Sequence, residues 1–455
     1  MPIGQIISTK IEPKKAERNG KGIKMARWDH ADLMSLDGKA LCYPEYSDLE
    51  DLKRYNPTWL LTEDGKKYWP NFKFTETELN IIQKKQDDEE KKRCKGKQMS
   101  LMKKLLKNST SDIVSTLEDS IFFNERDMIR TSVPMVNVAL SGTVDGGLQS
   151  GVGVLAGPSK NFKSGFALFL ASAYMKKYPE AVLLFYDSEF GTPRSYFEMF
   201  GIPLDRVVHT PISDIEQLKH DAVTQLKGIE RGEKVIVVID SLGNIASIKE
   251  LEDALSGKQV ADMTRAKAMK SFFRMITPYG GLKDIPIIVV NHTYKEIGLF
   301  PKDIVSGGTG SYYSADWIWI VGRQQDKTAE GVQGYNFIIN IEKSRFVREK
   351  SRIPINVSFE KGIQKWSGLF DVATDMGIIT SPTKGWYETT IPGWEKVRRG
   401  TIEHSDKFWN NLLENTDLAD RIKDKYILSG AEMLIPQEEI SIEDEVEKAV
   451  EGETI

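Results

Sequence analysis

An α/β fold built on a mostly parallel sheet is predicted by two features of this 455-residue sequence. First, short apolar segments rich in β-branched residues recur along the chain, at 152–156, 181–187, 235–240, 285–292 and 317–322. Second, the stretches between them read as helices or loops, and this alternation is typical of strands buried on both faces of a parallel sheet. Ligands of such sheets bind beyond the carboxyl ends of the strands, so polar residues there become candidates for a site.

The stretch after the first strand is typical of a triphosphate site. Residues 157–164 read GPSKNFKS and open an amphipathic helix. Backbone N–H groups at the start of this helix can face an anion, Lys163 can reach the outer phosphates, and the Ser164 hydroxyl can ligate magnesium. Phe162 departs from the pattern G-x-x-x-x-G-K-S/T, because it replaces a glycine whose φ is unrestricted. On its own, the motif therefore leaves an ordinary loop open as the alternative.

Three later strand ends carry further candidates. Asp240 could complete a magnesium shell begun by Ser164, and the alternative is an acid that only caps the next helix. Glu189 could orient or deprotonate an attacking water, and the alternative is a plain exposed acid. His292 could sense a γ-phosphate by hydrogen bonding, and the alternative is a structural histidine.

Composition limits the function classes. The sequence is 28% charged and 40% hydrophobic, which is ordinary for a soluble globular protein. No apolar run approaches the roughly 18 residues that span a bilayer, and the N-terminus lacks the apolar core of a signal peptide. Cys42 and Cys94 have no partners at metal spacing, so we expect reduced thiols and a cytoplasmic protein. The net charge of −4 argues against a uniformly basic DNA-coating protein but leaves room for a local basic channel.

The N-terminal third is expected to have two parts. Residues 1–98 read as an extension, with a basic arm, a possible small aromatic unit, and a charged helical run after a capping box at 75–78. The charged run is either a solvated helix and linker or a nucleic-acid contact. Residues 99–150 read as a helix followed by an extended segment, suited to packing on a neighbouring subunit.

The remaining boundaries follow from composition. The strand-rich core is expected to span 151–354, followed by a small α-rich domain at 355–436. Residues 437–455 form an acidic tail that we expect to be mobile. The tail could compete with DNA for basic loops, contact a basic loading partner, or only keep the protein in solution.

Several segments together resemble one known family. In chain order they are GPSKNFKS, LFYDSEFG, VIDSLGN, DMTRAKAMKS, NHTYKE, SGGTGSYYSAD and EKSRFVREKSR. They resemble the UvsX recombinases of T-even-type bacteriophages, which belong to the RecA group of strand-exchange proteins. The resemblance runs from about residue 99 to about residue 387 and includes Phe162, which is part of the UvsX pattern. It implies a RecA-type P-loop ATPase core with an N-terminal helix and strand for polymerisation.

The resemblance also implies roles for particular residues. It implies ATP binding by Gly157, Pro158, Ser159, Lys160, Asn161, Phe162, Lys163 and Ser164, with Tyr196 stacked on the adenine. Ser164 and Asp240 would hold Mg²⁺, Glu189 would be the catalytic carboxylate, and His292 would couple the γ-phosphate to DNA. Lys343 and Arg345 would reach across a filament interface to the neighbour's ATP. From the residues alone, those two would be solvated strand-end charges.

Two long loops are expected to contact DNA, around 248–265 and 293–309. Their expected DNA-binding residues are Lys258, Arg265, Lys295, Phe300, Lys302, Gly307 and Gly308. The cations would meet phosphates, the phenylalanine would act as a wedge, and the glycines would let the backbone approach closely. Mixed charges and aromatics suit a sequence-tolerant single-strand binder. Without the resemblance, ordinary surface loops would be the preferred interpretation.

The implied function is that of an ATP-dependent recombinase. It would form a helical filament on single-stranded DNA and catalyse homologous pairing and strand exchange with duplex DNA, in recombination, repair and recombination-dependent replication. Its partners would be other copies of itself, a recombination mediator and a single-strand-binding protein, in the cytoplasm of the host cell and away from membranes. A hexameric replicative helicase and a non-enzymatic DNA-coating protein stay open as alternatives. The presence of both Glu189 and Asp240 argues against the second.

Overall fold

The computed structural model describes residues 73–122, 127–257, 264–296, 303–328 and 331–428, together with Leu61 and Lys66. The chain divides into two units, Met1–Ser120 and Ile121–Ile455. The predicted basic arm, the aromatic unit and the acidic tail at 437–455 lie outside the described residues.

In the first unit, the described residues contain one long helix, α1 (Glu76–Asn108). Its N-terminus is closed by the predicted capping box, in which Glu78 Oε2 accepts from the Thr75 backbone N–H at 2.8 Å. The helix runs straight through residues 98 and 99, where composition predicted a boundary. Lys, Gln, Met and Leu on both sides of that point are all good helix formers, so a change of composition does not end the helix.

The elements of the second unit alternate between strand and helix as predicted up to β5, and later strands also follow one another directly. In chain order they are α2 (Pro134–Ser141), β1 (Gly151–Ala156), α3 (Lys163–Lys177), β2 (Val182–Asp187), α4 (Arg194–Met199), β3 (Val207–Pro211), α5 (Ile215–Gly228), β4 (Val235–Asp240), α6 (Ile248–Leu255), α7 (Thr264–Lys283), β5 (Pro286–Asn291), β6 (Thr293–Lys295), β7 (Asp303–Val305), α8 (Thr309–Ser314), β8 (Trp317–Thr328), β9 (Gly331–Ser344), β10 (Arg352–Ser358), β11 (Gly362–Ile363), α9 (Leu369–Asp375), β12 (Thr380–Thr383), β13 (Trp386–Glu388), β14 (Lys396–Val397), α10 (Arg399–Ile402), α11 (Asp406–Asn415) and α12 (Leu418–Tyr426).

A nine-stranded sheet forms the centre of this unit, in the order β11-β10-β9-β8-β1-β5-β4-β2-β3. All strand pairs from β8 to β3 are parallel, whereas β8, β9, β10 and β11 pair in antiparallel fashion. The five strands predicted from apolar runs all belong to this sheet. The predicted mostly parallel α/β core is therefore confirmed.

Both faces of the sheet are covered, as continuous apolar strands require. Along β1, Leu155 belongs to the core that includes α3 on one face, whereas Val152 and Val154 belong to the core that includes α5 and α7 on the other. The C-terminal region shares the first of these cores through Trp366 and Trp409. It contains helices, as expected, and also the three-stranded sheet β12-β13-β14. No helix in the described part of the chain is long and apolar enough to cross a membrane.

The parallel register brings four strand ends to one edge. Ala156 of β1 pairs with Asn291 of β5, and Asp187 of β2 pairs with Asp240 of β4. The turn after β1 and the residues that follow β2, β4 and β5 must therefore converge at this edge.

Candidate nucleotide site

A cleft of about 360 Å³ opens at this edge of the sheet. Its lining residues are Ser159, Lys160, Asn161, Phe162, Lys163, Ser164, Gly165, Glu189, Gly191, Thr192, Pro193, Tyr196, Asp240, Val290 and His292. Gly157 and Pro158 precede this lining in the turn after β1. Gly157 has a φ of 152°, and a Cβ there would lie 2.7 Å from the Val321 carbonyl oxygen. The structure thus gathers the predicted turn, three strand-end residues and Tyr196 around one space.

Phe162 adopts the backbone conformation that the missing glycine would have supplied. Its φ of 60° and ψ of 22° are left-handed, which costs a non-glycine residue about 1–2 kcal/mol. Its ring stacks on Phe337 at 5.2 Å between centroids and meets Phe166 edge-on at 5.3 Å. Each such pair stabilises by about 0.5–1.5 kcal/mol beyond the area buried. Aromatic packing therefore offsets the strain, and the departure from the motif does not disrupt the turn.

Lys163 places a buried cation beside the turn. It is 6% exposed, and its Nζ donates to the Pro158 carbonyl oxygen at 2.8 Å. Burial lowers the pKa of this ammonium, while the nearby carboxylates of Glu189 and Asp240 oppose that shift. The cation therefore lies within the field of two acids and next to the backbone that would surround a phosphate.

Asp240 is a buried acid with an oxygen that makes no hydrogen bond. The residue is 3% exposed, and its Oδ1 has no partner among the described residues. Burial raises the pKa of this carboxyl to about 6; a hydrogen bond from Ser164 lowers it, and the charges of Glu189 and Asp187 raise it further. A carboxylate oxygen without a partner beside a serine hydroxyl is the donor set that a hard divalent cation prefers. No group of three or more His, Cys, Asp or Glu residues in the described ranges forms a metal site by itself.

Replacing Asp240 with asparagine is expected to stabilise the nucleotide-free protein in a pH-dependent way. The folded pKa of about 6 exceeds the ordinary 3.8, so the wild-type fold gains stability as pH falls between these values. Above about pH 6 the variant should be more stable by roughly 3 kcal/mol, and below about pH 4 the difference should vanish. Urea unfolding across this pH range measures it. A gain in stability that does not change with pH would show that the raised pKa of Asp240 is not its cause.

Glu189 is held from two directions. Its Oε1 accepts from Ser241 Oγ at 2.5 Å and Asn244 Nδ2 at 3.0 Å, and lies 3.1 Å from His292 Nε2. The backbone N–H groups of Glu189 and the next residue donate to Asp187 Oδ1 at 3.1 and 2.8 Å. Sequence reasoning did not identify the serine, the asparagine or Asp187. The available signal was the segment VIDSLGN, in which Ser241 follows Asp240 directly and Asn244 comes four residues after it.

His292 connects this acid to the next hairpin. The preceding residue, Asn291, is fully buried; its Nδ2 donates to the Ser306 carbonyl oxygen at 2.9 Å and its Oδ1 accepts from the His292 N–H at 2.8 Å. Ser306 N–H in turn donates to the His292 carbonyl oxygen at 2.9 Å. The hairpin β6–β7, which carries the second predicted DNA loop, is therefore bonded to the backbone of the residue that contacts Glu189.

The predicted DNA-binding residues have different surroundings. Lys258, Phe300 and Lys302 lie outside the described residues. Lys295 is exposed and forms an ion pair with Asp303 at 3.2 Å.

Of the other predicted DNA-binding residues, the structure describes Gly307, Gly308 and Arg265. Gly307 has a φ of 91°, and a Cβ there would lie 2.3 Å from Met269 Cε; Gly308 has a φ of 74° and faces open space. Arg265 is directed into the chain, where it donates to the carbonyl oxygens of Ile245 and two neighbouring residues. Its Nε and Nη2 bind the protein itself, and its contact with a DNA phosphate stays a prediction.

Lys343 and Arg345 do not line the cleft of their own chain. Lys343 Nζ donates to the carbonyl oxygens of Tyr312 at 2.6 Å and Ala315 at 2.8 Å, and burial lowers the pKa of this ammonium. Arg345 is largely exposed and pairs with Asp316 at 2.9 Å. Any contact of these cations with a nucleotide would need the cleft of another copy.

Together, the fold and the cleft define a class of protein. A parallel sheet whose first strand runs into a phosphate turn, with an acid at the end of β4, one strand beyond the neighbouring β5, is a P-loop nucleotide-binding core.

Comparison with known proteins narrows the class. A family model described as Bacteriophage T4, Recombination and repair protein, C-terminal domain matches residues 366–422. The chain is 50% identical over 338 residues to the "Recombination and repair protein" of Enterobacteria phage T4, which covers 72% of this chain and 86% of that protein. This chain belongs to the UvsX family of recombination and repair proteins.

More distant relatives carry the name RecA. "Protein RecA" of Tropheryma whipplei is 24% identical over 302 residues, covering 65% of this chain and 65% of that protein. "Protein RecA" of Thermotoga neapolitana is 24% identical over 311 residues, covering 65% of this chain and 86% of that protein. The predicted resemblance to UvsX within the RecA group is confirmed.

Proposed function

We propose that this chain is an ATP-dependent recombinase that acts in recombination and repair. The main observation in support is that Lys163, Ser164, Asp240 and Glu189 converge at one edge of the sheet. A family whose phage T4 member is named a recombination and repair protein supports the same conclusion. The activity is DNA-dependent ATP hydrolysis that controls a filament on single-stranded DNA.

ATP occupies the cleft with its phosphates in the turn 157–164. Backbone N–H groups and the Lys163 ammonium supply positive charge there, and the field is strong because the lysine is desolvated. Tyr196 lines the same cleft and offers a ring for the adenine, supported edge-on by Phe200 at 5.4 Å.

Asp240 and Ser164 would hold the Mg²⁺ that accompanies the nucleotide. The Asp240 oxygen without a hydrogen bond supports this assignment, because a buried oxygen of that kind is costly unless a ligand completes it. A cation held there would neutralise charge at the phosphate oxygens. The two residues also hold each other in place, since the Ser164 hydroxyl hydrogen bonds to the carboxylate.

Glu189 orients and deprotonates the water that attacks the γ-phosphate. Its position is fixed before the nucleotide arrives, because Asp187 holds its backbone and Ser241 holds its carboxylate. Such preorganisation is worth most in a site that excludes bulk water. His292 joins this carboxylate to the hairpin β6–β7, so a ligand on the hairpin can alter hydrolysis.

Filament assembly completes the site from a second copy. Lys343 and Arg345 of one protomer reach the phosphates held by its neighbour, as an arginine finger does. Hydrolysis therefore weakens both the interface and the grip on DNA.

DNA contacts come from the segments around 248–265 and 293–309, apart from Arg265, and these segments bind single-stranded DNA and then homologous duplex. A mediator and a single-strand-binding protein assist loading in the host cell cytoplasm. In this proposal, 1–98 is an accessory extension, 99–150 an assembly segment, 151–354 the ATPase core, 355–436 a small domain and 437–455 a regulatory tail.

Joint-molecule formation between circular single-stranded DNA and homologous linear duplex tests the proposal. With ATP, Mg²⁺ and a single-strand-binding protein supplied, the full chain should convert homologous duplex, but not heterologous duplex, into joint molecules. Pairing requires a complementary sequence. A Glu189→Gln variant should still coat DNA in this assay. Failure of the wild-type protein to pair homologous DNA, with ATP hydrolysis intact, would refute the recombinase assignment.

A further inference from the structure

The segment after β4 carries two of the groups that hold Glu189. Ser241 is fully buried and places its hydroxyl 2.5 Å from Glu189 Oε1. Asn244 is exposed, and its amide reaches the same oxygen at 3.0 Å. Ser241 is fixed by its burial, whereas Asn244 depends on how the backbone of its own turn is held.

The two ends of this turn are bonded to the core. Leu242 N–H donates to the Val290 carbonyl oxygen of β5 at 2.9 Å. At the other end, the Ala246 carbonyl oxygen accepts from the Ile215 N–H at 3.0 Å. Neither bond involves the backbone of Gly243 or Ile245, although the Ile245 side chain is buried in the core.

Arg265, near the start of α7, supplies the missing contacts. Its Nε donates to the Ile245 carbonyl oxygen at 2.7 Å, and its Nη2 donates to the carbonyl oxygens of Gly243 and, at 3.4 Å, Leu242. Gly243 and Ile245 flank Asn244, so one planar guanidinium binds the backbone on both of its sides.

The turn is also fitted closely to the sensor histidine. A Cβ on Gly243 would lie 2.1 Å from His292 Cδ2, so the glycine lets the backbone lie against the ring. A shift of this backbone would therefore move Asn244 and disturb His292, two of the three side chains that contact the carboxylate of Glu189.

We propose that Arg265 is a positioning residue for the catalytic carboxylate, acting through Asn244. This inference rests on the proposed role of Glu189. The guanidinium holds the turn 242–245 so that the asparagine amide meets Glu189 Oε1, and ATP hydrolysis slows when the turn is released. A positive residue at the edge of a DNA loop thus serves the hydrolytic centre and not a phosphate.

Arg265→Lys separates this role from a DNA contact. An ammonium keeps the charge that a phosphate needs, but it cannot donate in one plane to the carbonyls on both sides of Asn244. We expect kcat for ATP hydrolysis to fall about 10-fold with and without DNA, with KM for ATP changed less than about 2-fold. Affinity for single-stranded DNA and its dependence on salt should stay as in the wild type.

Hydrogen exchange gives a readout that needs no activity. In the nucleotide-free Arg265→Lys protein, peptides covering 241–247 should exchange faster, because the brace on the turn is lost. Asn244→Ala changes only an exposed side chain and should lower kcat by a similar factor, and the double variant should be little worse than either one. Arg274→Lys, an exposed site on the same helix, is the matched control and should behave as wild type.

Three outcomes would overturn the inference. The first is wild-type kcat in Arg265→Lys together with an Arg265→Ala variant that binds DNA more weakly and loses about one unit of salt slope, as a phosphate contact does. The second is wild-type hydrolysis by Asn244→Ala. The third is unchanged exchange at 241–247. An inactive wild-type protein would instead refute the proposed function, while the exchange comparison still tests the brace.

Discussion

Lys163→Ala is expected to abolish nucleotide-dependent assembly on single-stranded DNA and to lower kcat/KM for ATP hydrolysis on the order of 10³-fold. The side chain is a desolvated cation whose charge is balanced by Glu189 and Asp240. Without it, the carboxylates of Glu189 and Asp240 face the incoming phosphates without this buried cation to oppose their charge. Repulsion should therefore weaken ATP binding as well as the chemical step.

The charge-matched control is Lys176→Ala, because Lys176 lies exposed on the same helix, α3, away from the cleft. Steady-state hydrolysis with and without single-stranded DNA, together with electron microscopy of filaments, measures both parts of the prediction. The Lys163→Ala protein should remain folded, since removing a buried charge relieves a desolvation cost. If the folded Lys163→Ala protein hydrolyses ATP at the wild-type rate, the turn 157–164 is not part of the nucleotide site.

The strands that sequence predicted share one property, which is burial on both faces. Strands β1, β2, β4, β5 and β8 begin as continuous apolar runs. By contrast, β3 is an edge strand whose residues are mostly exposed, and β9 alternates buried with partly exposed positions. Those strands are specified by pairing with neighbours, and a local apolar run does not reveal them.

The residues of the candidate site also differ in whether sequence alone could identify them. Residues at strand ends could be identified because parallel strands bring their carboxyl ends to one edge. The partners of Glu189 could not be identified from sequence, because the contacts of Ser241 and Asn244 with its carboxylate depend on the path of a turn. For Arg265, sequence gives the charge but not the direction of the side chain, and the guanidinium is directed into the protein. Phe162 is the opposite case, where long-range aromatic packing permits a conformation that local rules disfavour.

Glu189→Gln is expected to separate binding from hydrolysis. The amide oxygen can still accept from Ser241 and Asn244, so the loop should keep its position. A neutral amide cannot take a proton from water, and kcat should fall on the order of 10²–10³-fold. KM for ATP should hold or fall, because a carboxylate that repels the phosphates has been removed. Filaments formed with ATP should then persist longer than those of the wild type, since hydrolysis is the step that releases them.

Glu198→Gln is the control, since Glu198 is an exposed acid on α4 that does not line the cleft. Single-turnover hydrolysis and the lifetime of filaments after dilution are the two measurements. If Glu189→Gln hydrolyses ATP at the wild-type rate, another group activates the water. His292, which contacts the Glu189 carboxylate, is then the next residue to replace. If hydrolysis is lost but filament lifetime is unchanged, hydrolysis is not what weakens the interface, and the role given to Lys343 and Arg345 across that interface fails with it.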